Sequence, residues 1–388
     1  MRGAIAAGAA VLALALVTTA CSSGSSTSTS TTAGGSLTTT TVAAPVAPFA
    51  KTGPYPVGFT MLHLAGGRRV VVWYPAQGTT SGHARETIDI ASMLSPALQA
   101  RIPAKDRVLY HDDAFSDLTA AATTSGFPLV IFSHGFAGYP EQSVSLTTHL
   151  ASWGFVVAAP DHVERSLDGL LGTGAAGVPK MSDLAVLQAT IALMLSTSKS
   201  PGLLHGIVDP TKIVAAGHSA GAGAAYQLAS ADSRVKAWIS YSVGFGGQAG
   251  PAPPAPNKPG MVMLGTADGI IAPAQSERVY AGMHSPKYLV KIGGAGHLVF
   301  SDICLIGRSA GGITGIARAL KLPIPKELLK LGSDGCTKDH PPVEKAFPAI
   351  DQLSVAFFRW ALQIDLAPHG LDTQAVAGLG ANVTVTHT

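Results

Sequence analysis

The chain has 388 residues, 13% charged and 47% hydrophobic, with a formal net charge of +3. That is enough to bury one large core without a second domain. No Lys/Arg run of five or more occurs, so no nucleic-acid footprint is visible, and beyond the first twenty residues no apolar span is long enough to cross a membrane.

Taken in chain order, Met1-Arg2 precede GAIAAGAAVLALALV, an apolar run that reads as the core of a signal peptide over residues 1–20. It ends at Thr18-Thr19-Ala20-Cys21. Small residues directly before a cysteine resemble the bacterial lipoprotein lipobox. The usual Leu three residues before the Cys is absent, and Val17 stands one further back. The resemblance implies cleavage before Cys21, lipidation of its thiol, and export to the outer face of the bacterial cell membrane, with plain secretion as the alternative. Residues 22–48 are almost entirely Ser, Thr, Gly, Ala, Val and Pro with no charge, so residues 21–48 read as a lipidated cysteine followed by a disordered tether.

One catalytic domain is expected over residues 49–370, with 371–388 as a C-terminal tail. VGFTMLHLAGGRRVVVWYPA is two β-rich runs joined by Gly66-Gly67, a hairpin signal. FPLVIFSHG (127–135), FVVAAPDH (155–162), KIVAAGHS (212–219), VKAWISYSV (235–243), GMVMLGTAD (260–268) and KYLVKIGGAGH (287–297) are short apolar runs suited to strands buried on both faces. Helical patterns intervene at 141–153, 183–197, 220–230, 274–283 and 349–363. This alternation predicts an α/β fold with a mostly parallel, eight-stranded, doubly wound sheet and an N-terminal antiparallel hairpin. Its chemistry should lie at the carboxyl ends of the strands. Residues 77–125 and 298–345 break the repeat and read as insertions. The second either shapes and covers a site or is a plain surface excursion.

Two segments fit G-x-S-x-G: Gly217-His218-Ser219-Ala220-Gly221 and Gly307-Arg308-Ser309-Ala310-Gly311. A nucleophile elbow needs a buried strand before the serine and a helix after it. KIVAA and AGAAYQLAS supply both for Ser219; ICLI and GGITGIARALKL supply both for Ser309. Order along the chain separates them. A serine hydroxyl becomes a nucleophile when a His removes its proton and a carboxylate orients that His. After Ser219, Asp268 and then His297 fall at successive strand ends. After Ser309 come Asp334, Asp339, Asp351, His340 and His369, with no convincing strands to carry them. Ser219 is therefore the expected nucleophile, with Asp268 and His297 as partners. Backbone N–H groups of Phe136, after the Gly-bearing loop His134-Gly135, and of Ala220 are the expected oxyanion donors.

Other candidates read blandly. Gly172-Thr173-Gly174-Ala175-Ala176-Gly177 fits a dinucleotide fingerprint but lacks a strand before it, so it reads as a loop. Asp161, His162 and Arg165 read as structural, with substrate contact as the alternative; His134 and His218 read as packing residues. In an exported chain Cys304 and Cys336 are expected to form a disulfide, the alternative being two free thiols. No motif calls for a metal or cofactor.

The combination SHGF…DHVERS…GHSAG…GTADG…GAGH resembles the secreted bacterial branch of the platelet-activating-factor acetylhydrolase and dienelactone-hydrolase-like α/β hydrolases, and is similar to the bacterial polyester hydrolases. The resemblance covers residues 53–363. It implies a serine hydrolase, monomeric by default, acting on small-molecule or lipid carboxylic esters. Ser219 is then the nucleophile, His297 the base and then acid, and Asp268 the orienting group. Dienelactone hydrolases proper use a Cys nucleophile, and this chain has Ser there. Cleavage of another acyl bond (amide, thioester, polyester) and a catalytically silent lipid- or wall-binding protein on the same scaffold are the alternatives.

Overall fold

The computed structural model describes residues 47–245 and 253–388. Strands β1 (Val57–His63) and β2 (Arg69–Pro75) form the expected hairpin, with Gly66 and Gly67 both at positive φ. The first insertion contributes β3 (Arg85–Asp89), the one-turn helix α1 (Pro96–Gln99) and β4 (Leu109–Ser116). Then come β5 (Phe127–Ser133), α2 (Val144–Ser152), β6 (Val156–Pro160), α3 (Leu167–Leu171), α4 (Asp183–Lys199) and β7 (Val208–His218). The chain continues through α5 (Ala220–Ala231), β8 (Val235–Tyr241), β9 (Gly260–Gly265), α6 (Pro273–Ala281) and β10 (Lys287–Ile292). The second insertion forms α7 (Gly312–Ala319) and α8 (Lys326–Leu331). Helices α9 (Phe347–Ala361) and α10 (Thr373–Val376) lead to β11 (Val383–His387).

All these strands join one sheet in the order β11-β10-β9-β8-β7-β5-β6-β2-β1-β4-β3. From β6 through β10 neighbours run parallel, while β2 is antiparallel to β6 and β1. The eight expected strands are the contiguous middle of this sheet. The count of eight is corrected to eleven by β4 and β3 at one edge and β11 at the other. Those three escape a search for apolar runs because they are half-exposed and polar: RETID, LYHDDAFS and VTVTH. Residues 371–388, read as a tail, thus include an edge strand, with Tyr288 opposite His387.

Alternation along the central strands divides the core in two. Val130 and Phe132 of β5 pack with α2 and α9 on one face, and Leu129 and Ile131 pack with α4, α5 and α6 on the other. Helix starts are fixed locally; Ser182, for instance, caps α4 by accepting the Ala185 N–H at 3.2 Å. The order of strands reverses at β5, which lies between β6 and β7. Ser133 at the end of β5 stands opposite Gly217 near the end of β7. A crevice at such a reversal is where open α/β sheets hold their ligands.

Candidate active site

β7 ends at His218 and α5 begins at Ala220, so Ser219 alone makes the turn between them. Its φ of 59° and ψ of −120° lie in a region that costs a non-glycine residue of order 1–3 kcal/mol. Neighbouring glycines make the turn possible. A Cβ on Gly217 would stand 2.2 Å from the Gly221 carbonyl oxygen, and one on Gly221 would stand 1.9 Å from that of Ser133. The Ser219 N–H donates to the Tyr241 carbonyl at 2.9 Å, which ties the turn to the end of β8.

Asp268 and His297 meet Ser219 from two loops. Asp268 lies three residues past β9 and His297 five past β10, where it opens a 3-10 turn, so both sit beyond the strand ends expected for them. The loops are joined by the Ala267 N–H donating to the Ala295 carbonyl at 2.9 Å. His297 Nδ1 lies 2.8 Å from Asp268 Oδ2, and His297 Nε2 lies 2.9 Å from Ser219 Oγ. Burial pushes the Asp268 carboxyl up, but the hydrogen bond and charge of His297 and the N–H groups of Ile271 and Ile270 outweigh it and hold the group below its ordinary range. An ionised Asp268 can only accept. The proton of neutral His297 therefore sits on Nδ1, and Nε2 faces the serine hydroxyl as an acceptor.

Two further residues hold His297, and neither carries a motif. Gln142 Oε1 accepts the Gly135 N–H at 2.9 Å, and Gln142 Nε2 donates to His218 Nδ1 at 2.8 Å. His218 Nε2 then donates to the His297 carbonyl at 3.0 Å. Burial, with the nearby His297 adding to it, brings His218 down to about 3, so it stays neutral and keeps this single tautomer. Asp334, in the second insertion, accepts the His297 N–H on Oδ1 at 2.6 Å and reaches the Gly269 N–H at 3.4 Å. Its carbonyl accepts the Leu298 N–H at 3.0 Å. Asp334 thus joins the loops carrying Asp268 and His297. The backbones meet closely there, since a Cβ on Gly296 would lie 2.5 Å from Gly335 Cα. Only the proximity of Asp334 to Cys336 in sequence could have hinted at this contact.

The loop after β5 is held from behind. Arg165 donates through Nη1 to the carbonyls of His134 and Gly135, the latter at 2.9 Å, and through Nη2 to Ser133 Oγ at 3.0 Å. The Arg165 carbonyl accepts the Ala137 N–H at 2.7 Å, and its own charge faces Asp183 at 3.1 Å. His162 Nε2 lies 2.9 Å from Ser133 Oγ, and the His162 N–H donates to His134 Nε2 at 3.0 Å. Asp161, His162 and Arg165 are all buried, and none lines the cleft at Ser219. Phe136 is 46% exposed and borders that cleft. The N–H groups of Phe136 and Ala220 engage no acceptor among the described residues and flank Ser219 on the β5 and α5 sides.

The remaining sequence candidates separate clearly. Ser309 is exposed on a single 3-10 turn between Gly307 and Gly311, both left-handed. ICLI, read as a strand before it, is instead a 3-10 turn over Asp302–Cys304. That backbone is bent because buried Asp302 accepts the Ser145 N–H at 3.0 Å and gives its own N–H to the Gln142 carbonyl at 2.8 Å. Gly172 to Gly177 follow α3 as a loop, with Asp168 accepting the N–H groups of Thr173 and Gly174, both at 3.0 Å. Cys304 and Cys336 are joined in a disulfide. Cys21 lies outside the described residues. Among those described, no group of three His, Cys, Asp or Glu side chains could hold a metal ion, and no helix is long and apolar enough to cross a membrane.

The cleft at Ser219 encloses about 1130 Å³, part of it open to solvent. Its floor is the site just described, and both insertions contribute walls: Ile90, Leu94 and Val108 from the first, Ile306, Ile316 and Leu328 from the second. The excursion at 298–345 therefore helps to wall the site.

Comparison with known proteins gives the same frame. The family profile of platelet-activating factor acetylhydrolase, isoform II, matches residues 49–168, and that of chlorophyllase matches residues 117–262. Among solved structures, a ferulic acid esterase from Streptomyces cinnamoneus is similar at 23% identity with a TM-score of 0.57, over 89% of this chain and 98% of that one. The chain has the α/β-hydrolase fold.

Proposed function

We propose that the protein is a serine hydrolase of carboxylic esters that works through an acyl-enzyme. The observation that carries this reading is His297 spanning Asp268 and Ser219 at 2.8 and 2.9 Å, with Ser219 on a strained turn beside two unengaged N–H groups. The names of the similar proteins, an acetylhydrolase and an esterase among them, point to the same chemistry.

In the first half-reaction Ser219 Oγ attacks the ester carbonyl as its proton passes to His297 Nε2. Charge develops on the carbonyl oxygen, and the N–H groups of Phe136 and Ala220 receive it. Asp268 stabilises the imidazolium without taking its proton. The carbon–oxygen bond to the leaving group breaks, and His297 returns the proton to the departing alkoxide. In the second half-reaction His297 takes a proton from water, the hydroxide adds to the acyl carbon, and the acid leaves as Ser219 is reprotonated. No step requires a cofactor.

The finer kinship, with secreted bacterial acetylhydrolase-like lipoproteins, belongs to this proposal. So does anchorage through lipidated Cys21, which a Cys21→Ser variant should abolish, moving the protein from the membrane fraction to the medium. The activity is tested with a fluorophosphonate probe, which labels only an activated serine, and with a chromogenic ester. Wild type should label and turn over. Ser219→Ala should do neither while unfolding at the wild-type temperature. A labelled, active Ser219→Ala protein would falsify the assignment.

A further inference from the structure

The second insertion contains two amphipathic helices: Ile313 of α7 packs against the core, and the remaining large aliphatic side chains line the cleft. In α7 and α8, Arg318, Lys326, Glu327 and Lys330 are exposed. Ile316, Leu328, Leu329 and Leu331 of the helices, with Leu322 and Ile324 of the link between them, face the cleft instead. All six are half-buried, and none belongs to either of the two packed cores of the domain. Large aliphatic side chains left partly exposed together along one wall mark a groove built for an apolar occupant. The opposite wall is of the same kind: Ile90, Leu94, Ile102 and Val108 from the first insertion, Leu167 and Leu171 from α3.

What this cleft lacks among its lining residues is as informative. Its charged side chains are Asp106 and Arg107, and Arg107 is already paired with Asp89 at 2.8 Å. No free cation is available for a carboxylate or phosphate group deep inside. Its aromatic side chains are Phe136 and Tyr139, both on the loop beside Ser219, so the far end offers no ring on which a planar aromatic acid could stack. The other polar side chains of the lining are Tyr139, Gln142, His218, Ser219 and His297 at the site where the bond would be broken, and Thr314 on α7.

We propose that the roofed cleft takes one long aliphatic chain of its ester substrate, laid between α7–α8 and the residue 90–108 wall, with the scissile carbonyl at Ser219. The proposal rests on the esterase reading for its chemistry, but the chain site stands on the lining alone.

Two measurements on the full-length protein test this. The first is kcat/KM for p-nitrophenyl acetate, butanoate, octanoate, dodecanoate and ferulate. Burial of each added methylene should raise it up to about fourfold, equivalent to about 0.8 kcal/mol, until the cleft is full. Ala317→Trp, which places a large ring among the lining residues, should move that plateau to shorter chains. The second is calorimetric binding of dodecanoate and ferulate to Ser219→Ala, which needs no turnover. Dodecanoate should bind more tightly and with a negative heat-capacity change. Equal binding of the two acids, or tighter binding of ferulate, overturns the chain site whether or not esters are hydrolysed. An enzyme that labels with fluorophosphonate yet prefers acetate overturns it as well. If no ester is cleaved and Ser219 does not label, the esterase reading fails, while the binding result still decides the cleft.

Discussion

Replacing Asp334 by alanine probes whether the second insertion and His297 are one mechanical unit. Asp334 Oδ1 accepts the N–H of His297 at 2.6 Å, and His297 is fully buried. Alanine leaves that donor without a partner. An unsatisfied buried donor costs about 1–3 kcal/mol, more when the lost acceptor was charged. If the cost falls on the orientation of His297, the barrier rises by that amount, and kcat should drop roughly 5- to 150-fold. KM should move little, because Asp334 does not line the cleft. Asparagine at the same position keeps a carbonyl oxygen where Oδ1 stands and should restore activity to within about tenfold of wild type. The main-chain bond from the Leu298 N–H to the Asp334 carbonyl, 3.0 Å, survives both changes, so the roof should stay attached. The assay is steady-state kinetics on a chromogenic ester alongside thermal unfolding. Wild-type kcat in Asp334→Ala, or equal losses in the Ala and Asn variants, would refute the argument. A fall in activity that merely tracks a fall in unfolding temperature would refute it too.

Opening the Cys304–Cys336 bridge frees a loop of 32 residues, for which loop closure in the unfolded chain is worth roughly 3.7 kcal/mol. A Cys304→Ser/Cys336→Ser variant should therefore unfold several degrees earlier in calorimetry, and reductant should lower wild type but not the variant; an unchanged wild type under reductant would count against it. Burial brings His218 down to about 3 from an ordinary value of 6.5. The unfolded chain then gains a proton near pH 6.5 that the folded protein refuses until near pH 3. The contribution of His218 is thus complete above pH 6.5 and shrinks as pH falls through that window, by about 1.4 kcal/mol per pH unit. Buried Asp302 and Asp351 are pushed up by burial and titrate in the opposite sense, so the total stability is a poor readout. The difference between wild type and His218→Asn in urea unfolding isolates the histidine. It should narrow between pH 7 and pH 4, and a constant difference would show that His218 is not held neutral.

The parts of the fold that are legible in the sequence are those whose physics is local and repetitive. Strands buried on both faces must be apolar throughout, so β5, β7, β8 and β9 announce themselves. The turn at Ser219 requires glycine at 217 and 221 because the Ser133 and Gly221 carbonyls leave no room for a Cβ. Edge strands have one side in water and read as loops, as RETID and VTVTH do. ICLI shows the converse error. It is apolar enough for a strand, yet the buried Asp302 beside it is satisfied by Tyr110, by the Gln142 main chain and by Ser145, which lies 157 residues away along the chain. Gln142 and Asp334 were illegible for the same reason: each works through a main-chain group of another loop, and no residue type or spacing encodes that.

The two feet of the second insertion rest on the site by different routes. At one end Cys304 follows Asp302, whose N–H goes to the Gln142 carbonyl, and Gln142 leads through His218 to the His297 carbonyl. At the other end Cys336 follows Asp334, which holds the His297 N–H. The disulfide then ties the feet to each other. Both routes converge on the main chain of one histidine, so its position is over-determined from the roof as well as from Asp268. That redundancy supports the strain at Ser219, since a strained turn persists only where its surroundings fix it. Between the feet, α7 and α8 line the cleft and make no hydrogen bond to the histidine or the serine among the described residues. Changes at Ile316, Leu328 or Leu329 can therefore reshape the chain site while the distances of 2.8 and 2.9 Å about His297 hold. Substitutions at the feet act on turnover, and substitutions on the two helices act on which chain is accepted. One insertion thus separates the two properties along its own length.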